Sequence, residues 1–394
     1  MNEWILKQEN DDILLEDVFL AYYNCRKNKR NKIECLEFDL DYEVILIKIW
    51  EEINKGDYKV SPLSVFIVEK PVKREIFAAV FKDRVVHHLI VMKLENILEK
   101  EFIYDSYSCR KGKGTHFGIR RIEKFIRKCS KNYKEDCYLL KLDIASYFMS
   151  INKVILLNKL EKFINDKYIG SDKMSLINLI KKIISNNPTD NCKIKSLFNK
   201  WSDLPKSKSL FYAKENCGLP IGNYTNQVFA NFYLNEFDHF IKSELKTKYY
   251  GRYVDDFILI SNNKDELIEA TTNIRFFLKR HLEIDLHPKK IYLQNINHGA
   301  EFLGSYIKPW RKYITPRIKN NFNLLIFDIN EMLYKGKFGN TEKNKIRASL
   351  NSYLGVLGHV NSFHLRKSAI SKLDDKFHYY FECNFDFNVV KLRK

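Results

Sequence analysis

Tyr249-Tyr-Gly-Arg-Tyr-Val-Asp-Asp-Phe-Ile-Leu-Ile260 reads as two short strands that meet at a pair of carboxylates. Aromatic and branched residues suit a pleated, half-buried backbone, and Asp tolerates the turn between them. By itself an Asp-Asp tip is an ordinary surface turn. A second apolar stretch, Tyr138 to Leu142, ends on Asp143, so a single sheet would bring Asp143, Asp255 and Asp256 to one edge despite their separation in the chain. Carboxylates crowded together repel and take up protons unless a cation neutralises them, and hard oxygen ligands select Mg²⁺, with Mn²⁺ as the second candidate. Two such ions about 3.5 to 4 Å apart would activate a primer 3′-hydroxyl, orient a triphosphate and stabilise the departing pyrophosphate. The pattern predicts nucleotidyl transfer.

Outward from this centre, residues 12 to 57 place apolar side chains at helical spacing, Val44, Ile45, Ile47, Ile49 and Trp50 among them, interrupted by a basic patch from Arg26 to Lys32. Val60 to Ala79 predicts a hairpin with the basic tip Lys70-Pro-Val-Lys-Arg74, and helix is expected from Arg84 to about Glu101. The glycine-bearing loop Cys109 to Thr115 precedes a helix from about Phe117 to Cys129. Helices are expected over 152–186, irregular chain over the Lys/Ser/Asn-rich 187–216, and a turn at Gly218-Leu-Pro-Ile-Gly-Asn223 leading into one helix over roughly 224–246. A helix over 265–281, a strand-like His298 to Lys308 and a nearly all-helical 317–375 follow, with the domain boundary expected near Pro316.

Lys and Arg outnumber Asp and Glu by 67 to 49, a formal charge of +18, which draws in polyanions, nucleic acid first. The eight cysteines (Cys25, Cys35, Cys109, Cys129, Cys137, Cys192, Cys217 and Cys383) include no CxxC pair and read as reduced thiols of a cytoplasmic protein. Met1 to Asp12 carries four acidic residues and nothing like a signal sequence, and no run of 18 apolar residues follows, so neither secretion nor membrane association is expected.

Several longer strings, in order, resemble the reverse transcriptase family over about residues 15 to 375. Leu140-Lys-Leu-Asp-Ile-Ala-Ser-Tyr-Phe-Met-Ser-Ile151 looks like its first metal motif and Tyr253-Val-Asp-Asp256 like its YxDD signature. The resemblance implies that Asp143 and Asp255 bridge the metals, that Asp256 assists, and that the carbonyl of Ile144 adds a ligand. Phe148 stands where the family places an aromatic gate against the ribose 2′-hydroxyl. Lys70, Lys73 and Arg74 resemble the triphosphate grip, a task suited to the bidentate fork of Arg. Gly218 to Gln227 resembles the motif beneath the templating base pair, where Gly222 would let the backbone approach the nucleotide. Ile221 and Gln227 there are typical of diversity-generating retroelements, whose enzymes copy adenines carelessly. Asn226 departs from that group, which usually has Ser, and the chain is longer than its compact members; defence-associated bacterial enzymes share much of the pattern. Phe81 to His88, Tyr107 to Thr115 and Phe229 to Asn235 fit the same group. Lys289, within Leu286-His-Pro-Lys-Lys290, is a candidate for the pyrophosphate side, and Phe302, Leu303 and Gly304 resemble the primer grip.

The implied architecture is α+β, a right-hand polymerase: N-terminal helices and fingers over 1–137, a palm of antiparallel sheet and helices over 138–315 with 187–216 as an insertion-like loop, a helical thumb over 316–375 that includes Asn351-Ser-Tyr-Leu-Gly355, and a tail over 376–394. The expected activity is RNA-directed DNA synthesis from dNTPs on a structured non-coding RNA, giving DNA or an RNA/DNA hybrid, in antiphage defence or sequence diversification. An accessory protein or a second copy is a further candidate partner. No endonuclease, RNase H or intron-maturase pattern is visible after the thumb. Protein-primed or template-independent DNA synthesis, and a non-catalytic nucleic-acid-binding module with the same fold, stay open at this level.

Overall fold

The computed structural model describes residues 12–70, 72–336 and 339–393. The acidic stretch before Asp12, Pro71 of the basic turn and the last residue of the expected tail lie outside them. The chain begins with three helices, α1 (Leu15–Arg26), α2 (Ile33–Leu40) and α3 (Tyr42–Asn54). The expected hairpin follows as β1 (Ser64–Val68) and β2 (Arg74–Ala78), antiparallel, with Val65 opposite Phe77 and Ile67 opposite Glu75. Helix α4 (Phe81–Glu101) starts three residues before the expected Arg84, its first turn closed by the Arg84 N–H on the Val80 carbonyl at 3.0 Å, and Asp83 in that turn accepts the Ser61 N–H at 2.8 Å and the Tyr58 hydroxyl at 2.7 Å.

Next come α5 (Thr115–Cys129), β3 (Tyr138–Ile144), the single turn α6 (Tyr147–Ser150), α7 (Lys153–Lys167) and α8 (Lys173–Ser185). Residues 187–216 are less irregular than composition implies: β4 (Lys193–Ile194) adds to β1 in parallel, and three short 3-10 turns follow. The single helix expected over 224–246 is broken into α9 (Tyr224–Tyr233), α10 (Asn235–His239) and a π-helical turn at Phe240–Glu244. The break is at Leu234 (φ −92°, ψ 5°). Then come β5 (Tyr249–Tyr253), β6 (Asp256–Ser261) and α11 (Lys264–Leu282). Strand β7 (Leu286–Asn295) has no counterpart in the sequence reading, since Pro288 argues against a strand. It forms because the sheet order is β5-β6-β3-β7, which leaves β7 at an edge, where Pro is tolerated. The chain ends with β8 (Ala300–Phe302), β9 (Ser305–Lys308), β10 (Arg311–Ile314), helices α12 (Pro316–Tyr334), α13 (Asn340–Leu357), α14 (Phe363–Ile370) and α15 (Phe377–Tyr380), and the hairpin β11 (Phe381–Cys383) and β12 (Val390–Leu392).

Packing divides the chain into two compact units that do not follow chain order: Met1–Gly112, Lys141–Phe257 and Ile268–Ile291 form one, and Lys113–Leu140, Ile258–Leu267 and Tyr292–Lys394 the other. In the first, α1 packs on α4 and α4 on α9, burying Val18, Ala21, Val85, Leu89, Val228 and Phe229. In the second, Phe322, Ile326, Ile329, Leu350 and Leu354 form a helical core. The expected tail is part of that core: Phe377, Phe381 and Val390 are buried in it, and the Asn351 side chain bonds both the N–H (2.7 Å) and the carbonyl (2.8 Å) of Val390.

Candidate active site

Only Val254 and Asp255 join β5 to β6. Val254 sits at φ +56°, a left-handed conformation that a β-branched residue adopts only when its surroundings impose it, at a cost of about 1–3 kcal/mol. Two hydrogen bonds impose it here. The Val254 N–H donates to Ser108 Oγ at 3.3 Å, and its carbonyl accepts from Arg252 Nη1 at 2.9 Å. Arg252 is fully buried, and a buried guanidinium is tolerable only when paired and satisfied. Its Nε donates to Asp238 Oδ1 at 2.7 Å and its Nη1 to Asn231 Oδ1 at 2.9 Å, while Asn231 also accepts from the hydroxyls of Ser106 and Ser108 at 3.2 Å. The sequence alone assigns no role to Arg252, Asp238, Asn231 or Ser108. A charged residue at the centre of an apolar strand, and an Asp in an otherwise apolar helical stretch, are the available signals.

The network presents Asp255 at the tip and Asp256 as the first residue of β6, while Asp143 stands near the end of β3. All three carboxylates lie in the first unit and feel one another. Burial, then the charge of Asp143, pushes Asp255 up to about 6. Burial pushes Asp256 up to about 7; Lys141 opposes this, and the charges of Asp255 and Asp143 add to it. Lysines supply the local countercharge: Lys290 Nζ lies 3.0 Å from both oxygens of Asp143, and Lys141 Nζ 3.4 Å from Asp256 Oδ2. Asp256 Oδ1 is buried with no hydrogen-bond partner. Among the described residues no group of three or more acidic, His or Cys side chains is already drawn together tightly enough to hold a metal ion. The donor set nevertheless fits a hard divalent cation in its chemistry, with an orphaned carboxylate oxygen and mutually repelling carboxylates. Such an ion would have to replace Lys290 on Asp143.

The residues expected around the nucleotide divide into those brought together and those that are not. Arg74 is close enough to the carboxylates to oppose the upward shift of Asp255. Lys73 instead pairs with Asp203 at 3.5 Å, and Lys70 and Lys73 both lie in reach of Glu69. Phe148 and Ile221 pack against one apolar cluster of Leu63, Val65, Phe77, Met149 and Leu210. Gly222 adopts φ +129°, and a Cβ there would sit 2.8 Å from the Phe77 carbonyl oxygen, so the close approach it permits is to β2. The Ile221 carbonyl accepts the Phe77 N–H at 2.8 Å, and the Asn226 amide donates to the Pro220 carbonyl at 3.0 Å, which fixes the 218–223 turn. Gln227 is exposed on α9, its Oε1 3.5 Å from Cys109 Sγ. Lys289 is not the lysine that reaches the carboxylates. Neighbours on a strand point to opposite faces, and Lys290 is the one on Asp143. Ile144 is buried at the end of β3. Phe302, Leu303 and Gly304 belong to the second unit, where Leu303 (φ +50°) and Gly304 (φ +81°) make the tight turn between β8 and β9 and Phe302 is buried.

The family model described as reverse transcriptase (RNA-dependent DNA polymerase) matches residues 70–307, more than half of the 394-residue chain. The chain belongs to the reverse transcriptase family. As an RNA-directed DNA polymerase it has the right-hand polymerase fold. Protein YkfC of Escherichia coli (strain K12) is 23% identical over 288 residues, covering 64% of this reverse transcriptase and 68% of that protein. Retron Ec83 reverse transcriptase of Escherichia coli is 23% identical over 256 residues, covering 63% and 69% respectively. Among solved structures, apo telomerase from Candida tropicalis truncated from its C-terminal domain matches at TM-score 0.48 and 16% identity, covering 65% of this chain and 56% of that one. This chain spans little more than half of the telomerase chain. No helix among the described residues is long and apolar enough to cross a membrane.

Proposed function

We propose that this chain copies an RNA template into DNA by two-metal nucleotidyl transfer, with Asp143, Asp255 and Asp256 as the catalytic carboxylates. The observation that carries this reading is that Asp143, Asp255 and Asp256, from β3, the β5–β6 turn and β6 of one sheet, lie near enough to feel one another's charge, with Asp255 and Asp256 held well above the ordinary carboxylate range. Mg²⁺ would be held by Asp143, Asp255 and the Ile144 carbonyl with help from Asp256; when bound it lowers the pKa of a primer hydroxyl and stabilises the charge of the departing pyrophosphate. Arg74 takes the triphosphate through its planar fork, and its reach to Asp255 supports that role. Phe148, packed against the Leu63, Val65, Phe77, Met149 and Leu210 cluster and so restricted in its movement, bars a ribose 2′-hydroxyl. Lys290 holds Asp143 until the cation arrives. In this reading residues up to 137 are fingers, 138–315 palm and 316–375 thumb, with Phe302 to Gly304 as primer grip and the tail completing the thumb core. The template is a structured non-coding RNA, and the programme it serves is phage defence or sequence diversification.

The test is primer extension. Purified chain with a primed RNA template, Mg²⁺ and labelled dNTPs makes RNA-dependent DNA product, and Asp255→Ala/Asp256→Ala makes none. Equal product from both proteins would remove the catalytic assignment. Sequencing the product from co-purifying RNA separates faithful copying from adenine-directed mutation.

A further inference from the structure

We propose that residues 193–214 form a platform for the single-stranded RNA template beside the fingers hairpin, a role that rests on the reading of this chain as an RNA-templated polymerase. The segment carries Lys193, Lys195, Lys200, Lys206, Lys208 and Lys214 against Asp203 alone, six positive charges less one negative, or +5. That single acid is engaged with Lys73. The same stretch holds four aromatic residues, and three of them are exposed, Phe198 (79%) and Tyr212 (61%) the most and Phe211 less so. Phe198 and Tyr212 line a cavity of about 540 Å³ together with Trp201, Phe211 and Lys206, whose ammonium lies 5.2 Å from the centre of the Tyr212 ring.

A segment built only to connect two helices would bury such rings or lack them. It would also have no reason to be rigid, yet this one is clamped. Glu75, buried in β2, accepts the Trp201 Nε1–H at 2.7 Å, the Ser209 hydroxyl at 2.8 Å and the Leu210 N–H at 2.7 Å. On the same side β4 pairs with β1, and the Phe211 ring stands 5.8 Å from that of Phe77. Exposed rings on a fixed frame, interleaved with lysines, are the chemistry that captures unpaired bases and their phosphates without regard to sequence. A duplex, with its base faces stacked away, offers nothing to such rings.

The test is fluorescence anisotropy of the full chain with an unstructured RNA of about 16 nucleotides, the upper site size of such platforms. Phe198→Ala/Tyr212→Ala removes two exposed rings and keeps the melting temperature of the parent. Its affinity for the RNA is expected to fall at least roughly fivefold per ring, while a blunt duplex is less affected. Lys195→Glu/Lys208→Glu should make the slope of log affinity against log salt shallower by about 1.4, at ~0.7 for each phosphate no longer neutralised. Unchanged RNA affinity in both variants, with wild type still extending a primer, overturns the platform and leaves the polymerase standing. The platform is equally overturned if only DNA binding falls, or if the ring variant merely dissolves a dimer. A wild type that binds RNA through these rings but makes no product from a primed template overturns the polymerase reading instead.

Discussion

The guanidinium of Arg252 donates to the carbonyl of Val254, the residue directly before Asp255, at 2.9 Å. A cation with no exposure to solvent thus fixes the backbone from which the proposed catalytic carboxylate Asp255 projects. Removing either member of the Arg252 and Asp238 pair leaves the other charge buried and unpaired, at a cost of about 3–5 kcal/mol. Arg252→Met and Asp238→Asn should each lower the urea midpoint sharply. The double variant Arg252→Met/Asp238→Asn should be less damaged than the sum of the two singles. Additive losses in that cycle would mean that the pair does not act as one.

Lys290 and Lys289 are neighbours with different duties. Replacing Lys290 with Met removes the ammonium that competes for Asp143, so Mg²⁺ should raise the melting temperature at a concentration about two- to fivefold lower than in wild type, the range of a partly exposed ion pair. Lys289→Met should leave that midpoint where it is. The opposite ranking would make Lys289 rather than Lys290 the competitor for Asp143.

The metal-free protein should have a pH signature of its own. Asp255 and Asp256 are raised to about 6 and about 7 from an ordinary 3.8, so between pH 4 and 7 the folded chain holds more protons than the unfolded one. Their contribution therefore declines as pH rises through that window. Compared with Asp255→Asn/Asp256→Asn, wild type without metal should lose stability from pH 5 to pH 8, and Mg²⁺ should abolish the difference. Buried His87, lowered from 6.5 to about 3 by burial first, has the opposite slope: the unfolded chain binds the proton first, so stability falls as pH drops below 6.5. Denaturant melts of wild type and His87→Gln across pH 4 to 8 separate the two effects.

Phe148→Ala should admit ribonucleotides. Rejection of a hydroxyl by an apolar wall is limited to roughly a hundredfold, so discrimination measured as the ratio of kcat/KM for dNTP and NTP should fall by up to about that factor. An unchanged ratio would assign the gate elsewhere.

Glu75→Ala strips the acceptor from three donors in the 201–210 stretch, each left unsatisfied at about 1–3 kcal/mol unless water replaces the carboxylate. Limited proteolysis should then cut within residues 187–216 well before the rest of the chain.

The carboxylates, the basic hairpin and the 218–223 turn are legible in the sequence because each is a local string: an apolar run ending in acid, a basic tip between strands, a turn with Pro220 between Gly218 and Gly222. What escapes is whatever depends on partners far apart in the chain. Lys290 reaches Asp143 only because β7 pairs beside β3, and Pro288 hides that strand. Glu75 looks like one more exposed charge in β2 until a loop more than a hundred residues later closes over it. Arg252 stands out as odd in its strand without explaining itself, since Asp238, Asn231 and Ser108 come from three other segments. Composition marks residues 187–216 as irregular because it measures propensity and not the clamp that a single buried carboxylate provides.

The Asn351 amide, with one hydrogen bond to each side of the Val390 peptide, has a practical meaning for anyone who cuts or extends this chain. Ending it at residue 375 would take Phe377, Phe381 and Val390 from the helical core together and leave that amide unmatched. Deletions there report on folding before they report on catalysis, and purification handles are better carried at the opposite terminus.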